Sequence, residues 1–255
     1  MRKLATLFIA IVASVATLSA QQIVADGGSS SAKAPRNTIA ALETAAVGGY
    51  MVKCDVNIAE DGTIVVVEGP WLGEKSDPDR LNVQRSDYAT LSSKLLANGE
   101  AVPTLDAYLD KVAALEGLRL IIEIKEHATP RRESEVVKAV VAKVKERKLQ
   151  DRVDYLSVRQ HICNELVRMA ASAATIYYAG NNLTPEYAEG MNYKGIAYTV
   201  DAFKRIPRWV DEARKLGLKV AIRGVVSTED AAWAAKCKAD IIISTAPATV
   251  KKSVK

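Results

Sequence analysis

The sequence predicts an α/β fold of the (β/α)8 barrel kind. Strand-like and helix-like segments alternate almost to the end of the chain, as they do when a parallel sheet is built from βα units. Eight or nine strand candidates fit into 255 residues, the usual size of such a barrel. The stretch 118–124 is a near-continuous apolar run, as expected of a strand covered on both faces. A doubly wound open sheet is the competing architecture. Its dinucleotide-binding form finds no support, because no Gly-x-Gly-x-x-Gly follows the first strand.

Taken in order, Ile23-Val24-Ala25 is a short apolar strand running into Asp26-Gly27-Gly28-Ser29. Residues 37–47 read as a helix and 50–58 as a strand. The turn signal Glu60-Asp61-Gly62 joins that strand to another at 63–67, so the two can form a hairpin. The Gly-, Pro- and Asp-rich stretch 69–85 reads as an inserted loop. Pro103-Thr104 opens a helix to about residue 115, with Thr104 as its cap. Then come a strand at 118–124, a long amphipathic helix at 131–147, a strand at 153–158 and a helix at 161–171. Strands at 175–178, 195–199, 218–222 and 240–243 follow. They are separated by helices at 185–189, 202–216 (stopped by Gly217) and 228–236, and a last helix starts at Pro247.

The first twenty residues read as a leader outside the fold. Arg2 and Lys3 precede an apolar stretch from Leu4 to Leu18, and Ser19-Ala20 offers small residues for cleavage. The division expected is a signal peptide at 1–20 and one barrel domain at 21–255. The apolar run is shorter than the roughly 20 residues of a spanning helix, so an exported protein, periplasmic or secreted, with no membrane span after cleavage is expected. The composition is 49% hydrophobic and 25% charged, that of a globular chain with a sizeable core. The formal charge of +5 is mild and dispersed, and neither zinc-finger spacing nor aromatic–basic interleaving argues for nucleic acid. Cys54, Cys163 and Cys237 match no metal spacing. An odd number leaves at least one free thiol. Buried free cysteines are the preferred reading, with a Cys163–Cys237 disulfide as the alternative.

Barrel active sites form where strands end and βα loops begin. Asp26, Asp55, Glu68, Glu123 and Arg223 all fall at such ends. Cys54, between two inward positions of its strand, should face the helix layer and serve as core. His127 lies in a loop near the expected site; a solvated side chain is its first reading and a catalytic role the other. Trp71, in the insertion, reads as a cover for a ligand or as a satellite core anchor. Trp209 and Trp233 lie on helices and read as packing residues.

The order and spacing of several short motifs resemble the glycerophosphodiester phosphodiesterase family from Ile23 to Pro247. That family opens with a strand ending in His-Arg-Gly, which corresponds here to Ala25-Asp26-Gly27. Its Pro-Glu-Asn-Thr corresponds to Pro35-Arg36-Asn37-Thr38, its Glu-x-Asp to Lys53-Cys54-Asp55 and its Thr-x-Asp-Gly to Ala59-Glu60-Asp61-Gly62. Its strand ending in His-Asp corresponds to Val67-Glu68-Gly69. Pro103-Thr104-Leu105 and Glu123-Ile124-Lys125 match the family without change, and residues 241–247 resemble its final strand with Ala246 in place of an acidic or amide residue. Arg223 stands where the family commonly has Trp-Thr.

The resemblance implies a phosphodiesterase-like barrel with altered chemistry. The family reaction uses two histidines, for acid and base of near-neutral pKa, and a carboxylate-bound divalent metal. Both histidines are replaced here. Of three metal-binding carboxylates, Asp55 and Glu123 persist as a remnant and the third is Lys53. An ammonium cannot ligate a hard cation. The expectation is a metal-free pocket rich in fixed positive charge, with Lys53 pairing with Asp55 and Glu123. No cofactor is expected; Ca²⁺ or Mg²⁺ enters only if Lys53 swings away. Three readings follow. A binding protein would hold a small anionic, phosphate-bearing ligand through Arg36, Lys53, Lys125 and Arg223 without cleaving it. An ion-pair cluster would merely hold the barrel mouth together; these two weigh equally. Behind them comes an enzyme in which Asp26 and Glu68 replace the histidines and act on the glycerophosphodiesters of lipid metabolism. Retained metal-dependent hydrolysis ranks last. Arg223 is expected either to line the pocket or to pair with Glu68 or Asp26.

Overall fold

The computed structural model describes residues 21–73 and 75–254. The expected leader therefore lies outside the described residues. The chain begins with β1 (Gln22–Asp26), α1 (Ile39–Val47), β2 (Met51–Ile58) and β3 (Ile64–Val66). A small ribbon, β4 (Trp71–Leu72) with β5 (Leu81–Asn82), and α2 (Tyr88–Ser93) lead to α3 (Leu105–Ala114) and β6 (Leu120–Ile124). The second half runs α4 (Pro130–Glu146), β7 (Val153–Ser157), α5 (Gln160–Met169), β8 (Ile176–Tyr178), α6 (Pro185–Gly190) and β9 (Gly195–Thr199). It ends with α7 (Val200–Arg205), α8 (Arg208–Lys215), β10 (Lys219–Arg223), α9 (Thr228–Lys236), β11 (Ile241–Ser244) and α10 (Pro247–Ser253).

Eight parallel strands, β1, β2 and β6 to β11, pair in sequence order. They close where β1 meets both β2 and β11, which makes the (β/α)8 barrel. β3 is the exception: it returns antiparallel along the end of β2, as the turn at Asp61-Gly62 predicts. Alternation sorts the side chains into two layers. Val24, Met51, Ile121, Leu156, Tyr177, Ala197, Ala221 and Ile243 fill the barrel interior. Val52, Cys54, Val56, Ile122 and Ile124 face outward into the larger core under the helices. Cys54 and Cys163 are buried free thiols, and Cys237 is free and half-buried, so the disulfide alternative is not realised.

Three local expectations change. The insertion is more than a loop, since its β4–β5 ribbon and α2 cover a separate apolar cluster of Ala59, Val65, Leu72, Val83, Leu91 and Val102. Trp71 is not a satellite core anchor. It is exposed at its ring and stacks under the Arg80 guanidinium, 4.3 Å from the ring centre. The helix expected over 202–216 is two helices. Pro207 has no N–H for the helical ladder and disfavours helical backbone at Ile206, where φ is −132°.

The β1–α1 loop that carries Arg36 to the mouth depends on Gly28. This residue has φ +84°, and a Cβ there would lie 2.6 Å from the backbone of Ala41. Gly28→Ala is expected to cost about 2 to 3 kcal/mol, read as a lower midpoint in urea unfolding.

Candidate functional site

The C-terminal ends of β1, β2 and β6 bring seven charged side chains to one point. Lys53 projects inward from β2 and is almost fully buried. Its Nζ lies 2.8 Å from Asp26 Oδ1, 2.9 Å from Asp55 Oδ1 and 2.9 Å from Glu123 Oε2. An ammonium has three N–H donors; Lys53 hydrogen-bonds Asp26 and Asp55, and Glu123 closes the third side as an ion pair. Lys125, two residues beyond Glu123, sits on the outer side of the same carboxylates. Its Nζ is 2.7 Å from Glu123 Oε1 and 3.3 Å from Asp55 Oδ1. Asp55 is completed by Asn37, whose side-chain amide donates to Oδ2 at 3.0 Å while its carbonyl oxygen accepts the Asp55 backbone N–H at 3.1 Å. Asn37 has φ +64°, a conformation that asparagine tolerates better than most residues, and its successor Thr38 caps α1.

Arg36 forms the outer layer. One terminal nitrogen lies 3.1 Å from Asp26 Oδ1, the other 2.7 Å from Glu68 Oε2, and Nε donates to the Asp26 carbonyl at 3.2 Å. The two candidate replacements for the histidines therefore meet on a single guanidinium. Glu68 is the exposed member, with 56% of its side chain accessible.

Burial alone would lower the Lys53 pKa, but Asp55, Glu123 and Asp26 outweigh it and raise it far above the ordinary lysine value. Burial likewise pushes the Asp55 carboxyl up, and Lys53 and Lys125 then carry it well below the ordinary carboxylate range. Lys125 and Arg36 are also raised, by their carboxylate neighbours against the effect of burial.

These contacts change three expectations. The mouth is not a pool of free positive charge: Asp26, Asp55, Glu68 and Glu123 outnumber Arg36, Lys53 and Lys125. Lys53 is not a ligand contact, since three carboxylates enclose it and its side chain is buried. Arg223 pairs with neither Asp26 nor Glu68. It folds across β9 and β8 instead, with Nε donating to the Ala197 carbonyl at 2.7 Å and a terminal nitrogen to the Ala179 carbonyl at 2.8 Å. Small interior residues at 179 and 197 leave those carbonyls within its reach. The pairing of Lys53 with Asp55 and Glu123 is as expected; the third carboxylate, Asp26, is an addition. Asn37 belongs to a motif but is not among the expected site residues. Its position immediately before the capping threonine was the available signal.

His127 is not solvated. It is buried and accepts the Ile58 backbone N–H at Nε2, 3.2 Å away, tying the loop after β6 to the end of β2. Burial, followed by the charge of Arg132, pushes its pKa down from 6.5 to about 4. The folded protein thus favours the neutral ring. Its stabilising effect is complete above pH 6.5 and is lost as pH falls toward 4, by about 3 kcal/mol at about 1.4 kcal/mol per unit. Urea unfolding across that window is expected to show this slope, and His127→Gln, which cannot titrate, is expected to flatten it.

The donor set can be tested against the divalent metal that the motifs imply. A calcium ion sits roughly 2.3 to 2.6 Å from its oxygens. The point between Asp55 Oδ1 and Glu123 Oε2 is taken by the Lys53 ammonium at 2.9 Å from each. No group of three metal-ligating side chains occurs among the described residues. The residues present do not fit the metal.

A cavity of about 720 Å³ opens beside the cluster, with Lys125, Glu68, Arg85, Arg132 and His127 in its wall. Lys125 has one N–H donor left after its two carboxylates.

The sequence matches the glycerophosphoryl diester phosphodiesterase family over residues 28–249. Among solved structures, it is similar to a glycerophosphodiester phosphodiesterase from Parabacteroides distasonis, with 27% identity, 92% of this chain and 97% of that one covered, and a TM-score of 0.87. A phosphodiesterase from Oleispira antarctica, solved with the product sn-glycerol-3-phosphate, shares 20% identity over 91% and 96% of the two chains with a TM-score of 0.79. A glycerophosphodiester phosphodiesterase from Thermotoga maritima shares 19% identity over 91% and 97% with a TM-score of 0.73. No curated protein matches the chain.

Proposed function

Since the chain belongs to the glycerophosphoryl diester phosphodiesterase family, we propose that it is a non-hydrolysing member, exported by its leader-like residues 1–20. A single observation carries this reading: the Lys53 ammonium is saturated by Asp26, Asp55 and Glu123. The charge that a divalent cation would bring to these carboxylates is already supplied from within the chain. An ammonium enclosed by three carboxylates and almost fully buried is out of reach of a phosphoryl oxygen. Asp26 and Glu68 are not set apart as an acid and a base, because both pair with the same guanidinium.

A second role, binding, is favoured by Glu68. Its exposed carboxylate occupies Arg36 much as a ligand phosphate would, and it can exchange for one at little desolvation cost. Lys125, with one donor beyond its two carboxylates, lines the adjoining cavity. The proposed ligand is a small phosphate-bearing anion, and the sn-glycerol-3-phosphate bound to the Oleispira antarctica protein is a natural probe. Two measurements test the reading. Purified protein supplied with a glycerophosphodiester and Ca²⁺ or Mg²⁺ is expected to release no glycerol phosphate above the background. Calorimetric titration with sn-glycerol-3-phosphate is expected to show weak binding that strengthens in Glu68→Gln and disappears in Arg36→Ala. Cation-dependent turnover overturns the non-hydrolysing reading, and binding indifferent to Arg36 overturns the ligand role alone.

A further inference from the structure

We infer that the opposite end of the barrel, where the strands begin, is a docking face for an anionic lipid surface. The helices of a (β/α)8 barrel run back from the mouth, so their C-terminal ends gather at this face. Lys145, Lys215, Lys236, Lys251 and Lys252 occupy the last turns of α4, α8, α9 and α10, and all five are exposed. None of them pairs with a carboxylate among the described residues. Part of their placement follows from the helix dipole, which favours cations at C-terminal ends. The dipole does not account for the apolar side chains that share the face. Val47 ends α1 and is 92% exposed, Met169 ends α5 at 39% and Leu216 caps α8 at 37%.

Between the helix ends lies a cavity of about 940 Å³, with Lys219, Lys238 and Lys251 in its wall. Of its two carboxylates Asp154 is buried and Asp240 is exposed, and both accept backbone N–H groups. Asp154 accepts the Thr175 N–H at 2.8 Å and pairs with Arg119, and Asp240 accepts the Val220 N–H at 2.8 Å. The chain also enters the fold here, since the Gln21 side chain donates to the carbonyls of Ala234 and Ala235 at the end of α9. Dispersed lysines around protruding aliphatic side chains match a bilayer carrying anionic headgroups. The lysines meet phosphate charge, and the aliphatic tips enter the interfacial layer. No helix among the described residues is long and apolar enough to cross a membrane, so the contact is peripheral.

Co-sedimentation of the full chain tests this, using vesicles of phosphatidylcholine with and without phosphatidylglycerol. Binding is expected only to the anionic vesicles and is expected to weaken as salt rises. The Lys215→Gln/Lys236→Gln/Lys252→Gln variant is expected to bind at least tenfold more weakly, at roughly 1 kcal/mol per lysine near the surface. Val47→Gln is expected to weaken binding without altering the unfolding midpoint. Equal binding to neutral and anionic vesicles would assign the affinity to residues 1–20 and overturn the inference. So would triple-lysine binding equal to that of the native chain. Saturable pyrophosphate binding without vesicle binding would make the cavity a small-anion site instead, and would also overturn it.

Discussion

Lys53→Met is expected to be among the most destabilising single substitutions at the mouth, lowering the melting temperature by about 10 °C. Methionine fills much the same space but carries no charge. Asp55 and Glu123 are left buried with only Lys125 between them, and Asp26 keeps only Arg36. Removing one partner from a buried ion pair costs about 3 to 5 kcal/mol, and a domain of this size loses roughly 2 to 4 °C per kcal/mol. The dependence on pH should distinguish this mechanism from lost packing. In the native protein the Asp55 carboxyl is held below its ordinary value of 3.8, so its contribution is complete above that pH and fades as pH falls below it. In the variant, buried carboxylates lacking their cation would have raised values. They would take up protons on folding, so the deficit should shrink as pH is lowered from 8 to 5. A deficit that stays constant over that range would point to a packing defect rather than to stranded charge.

Lys53→Glu is expected to do more than destabilise. It places a third carboxylate beside Asp55 and Glu123, leaving Lys125 and Arg36 to balance five acidic groups around them. In chelator the variant should be less stable than Lys53→Met, because like charges held in a buried site repel. In millimolar Ca²⁺ it should recover, by about 3 kcal/mol if the ion is present at a hundredfold excess over its dissociation constant. The native protein should show no such recovery, since its carboxylates already have a cation. Melting curves of both proteins with and without Ca²⁺ check this. If the native chain gained as much as the variant, Lys53 would not be the substitute for the metal.

Much of the fold was legible in the sequence because barrel strands have to be apolar on both faces, while their helices show one apolar stripe. The apolar run at 118–124 and the amphipathic stripe along 131–147 leave little choice. The break at Ile206 was also written in the chain, at Pro207, but it was masked by the apolar periodicity continuing across it. At the site, the pairing of Lys53 with Asp55 and Glu123 is what the family resemblance implies, with a cation of the chain standing at a metal-ligand position. The third partner is not implied, because Asp26 lies on β1 and only the register between Asp26 and Lys53 brings them together. Arg223 shows the limit of reading charge from strand ends. A guanidinium there has carbonyl oxygens within reach as well as carboxylates, and small residues at 179 and 197 decided between them. His127 was similarly opaque, since a loop histidine becomes a buried acceptor only when a specific N–H, that of Ile58, needs one. The expectation of a positive pocket failed for a related reason: cations can be read from the sequence, but which of them are already neutralised depends on distances.

The central claim is that the Lys53 ammonium stands where a divalent cation would otherwise bind. The most direct test is calorimetric titration of Ca²⁺ and of Mg²⁺ into the native protein, with Lys53→Glu titrated alongside. The account predicts no saturable binding to the native chain and one-site binding to the variant. One-site binding to the native chain that is lost in both Asp55→Asn and Glu123→Gln would contradict it.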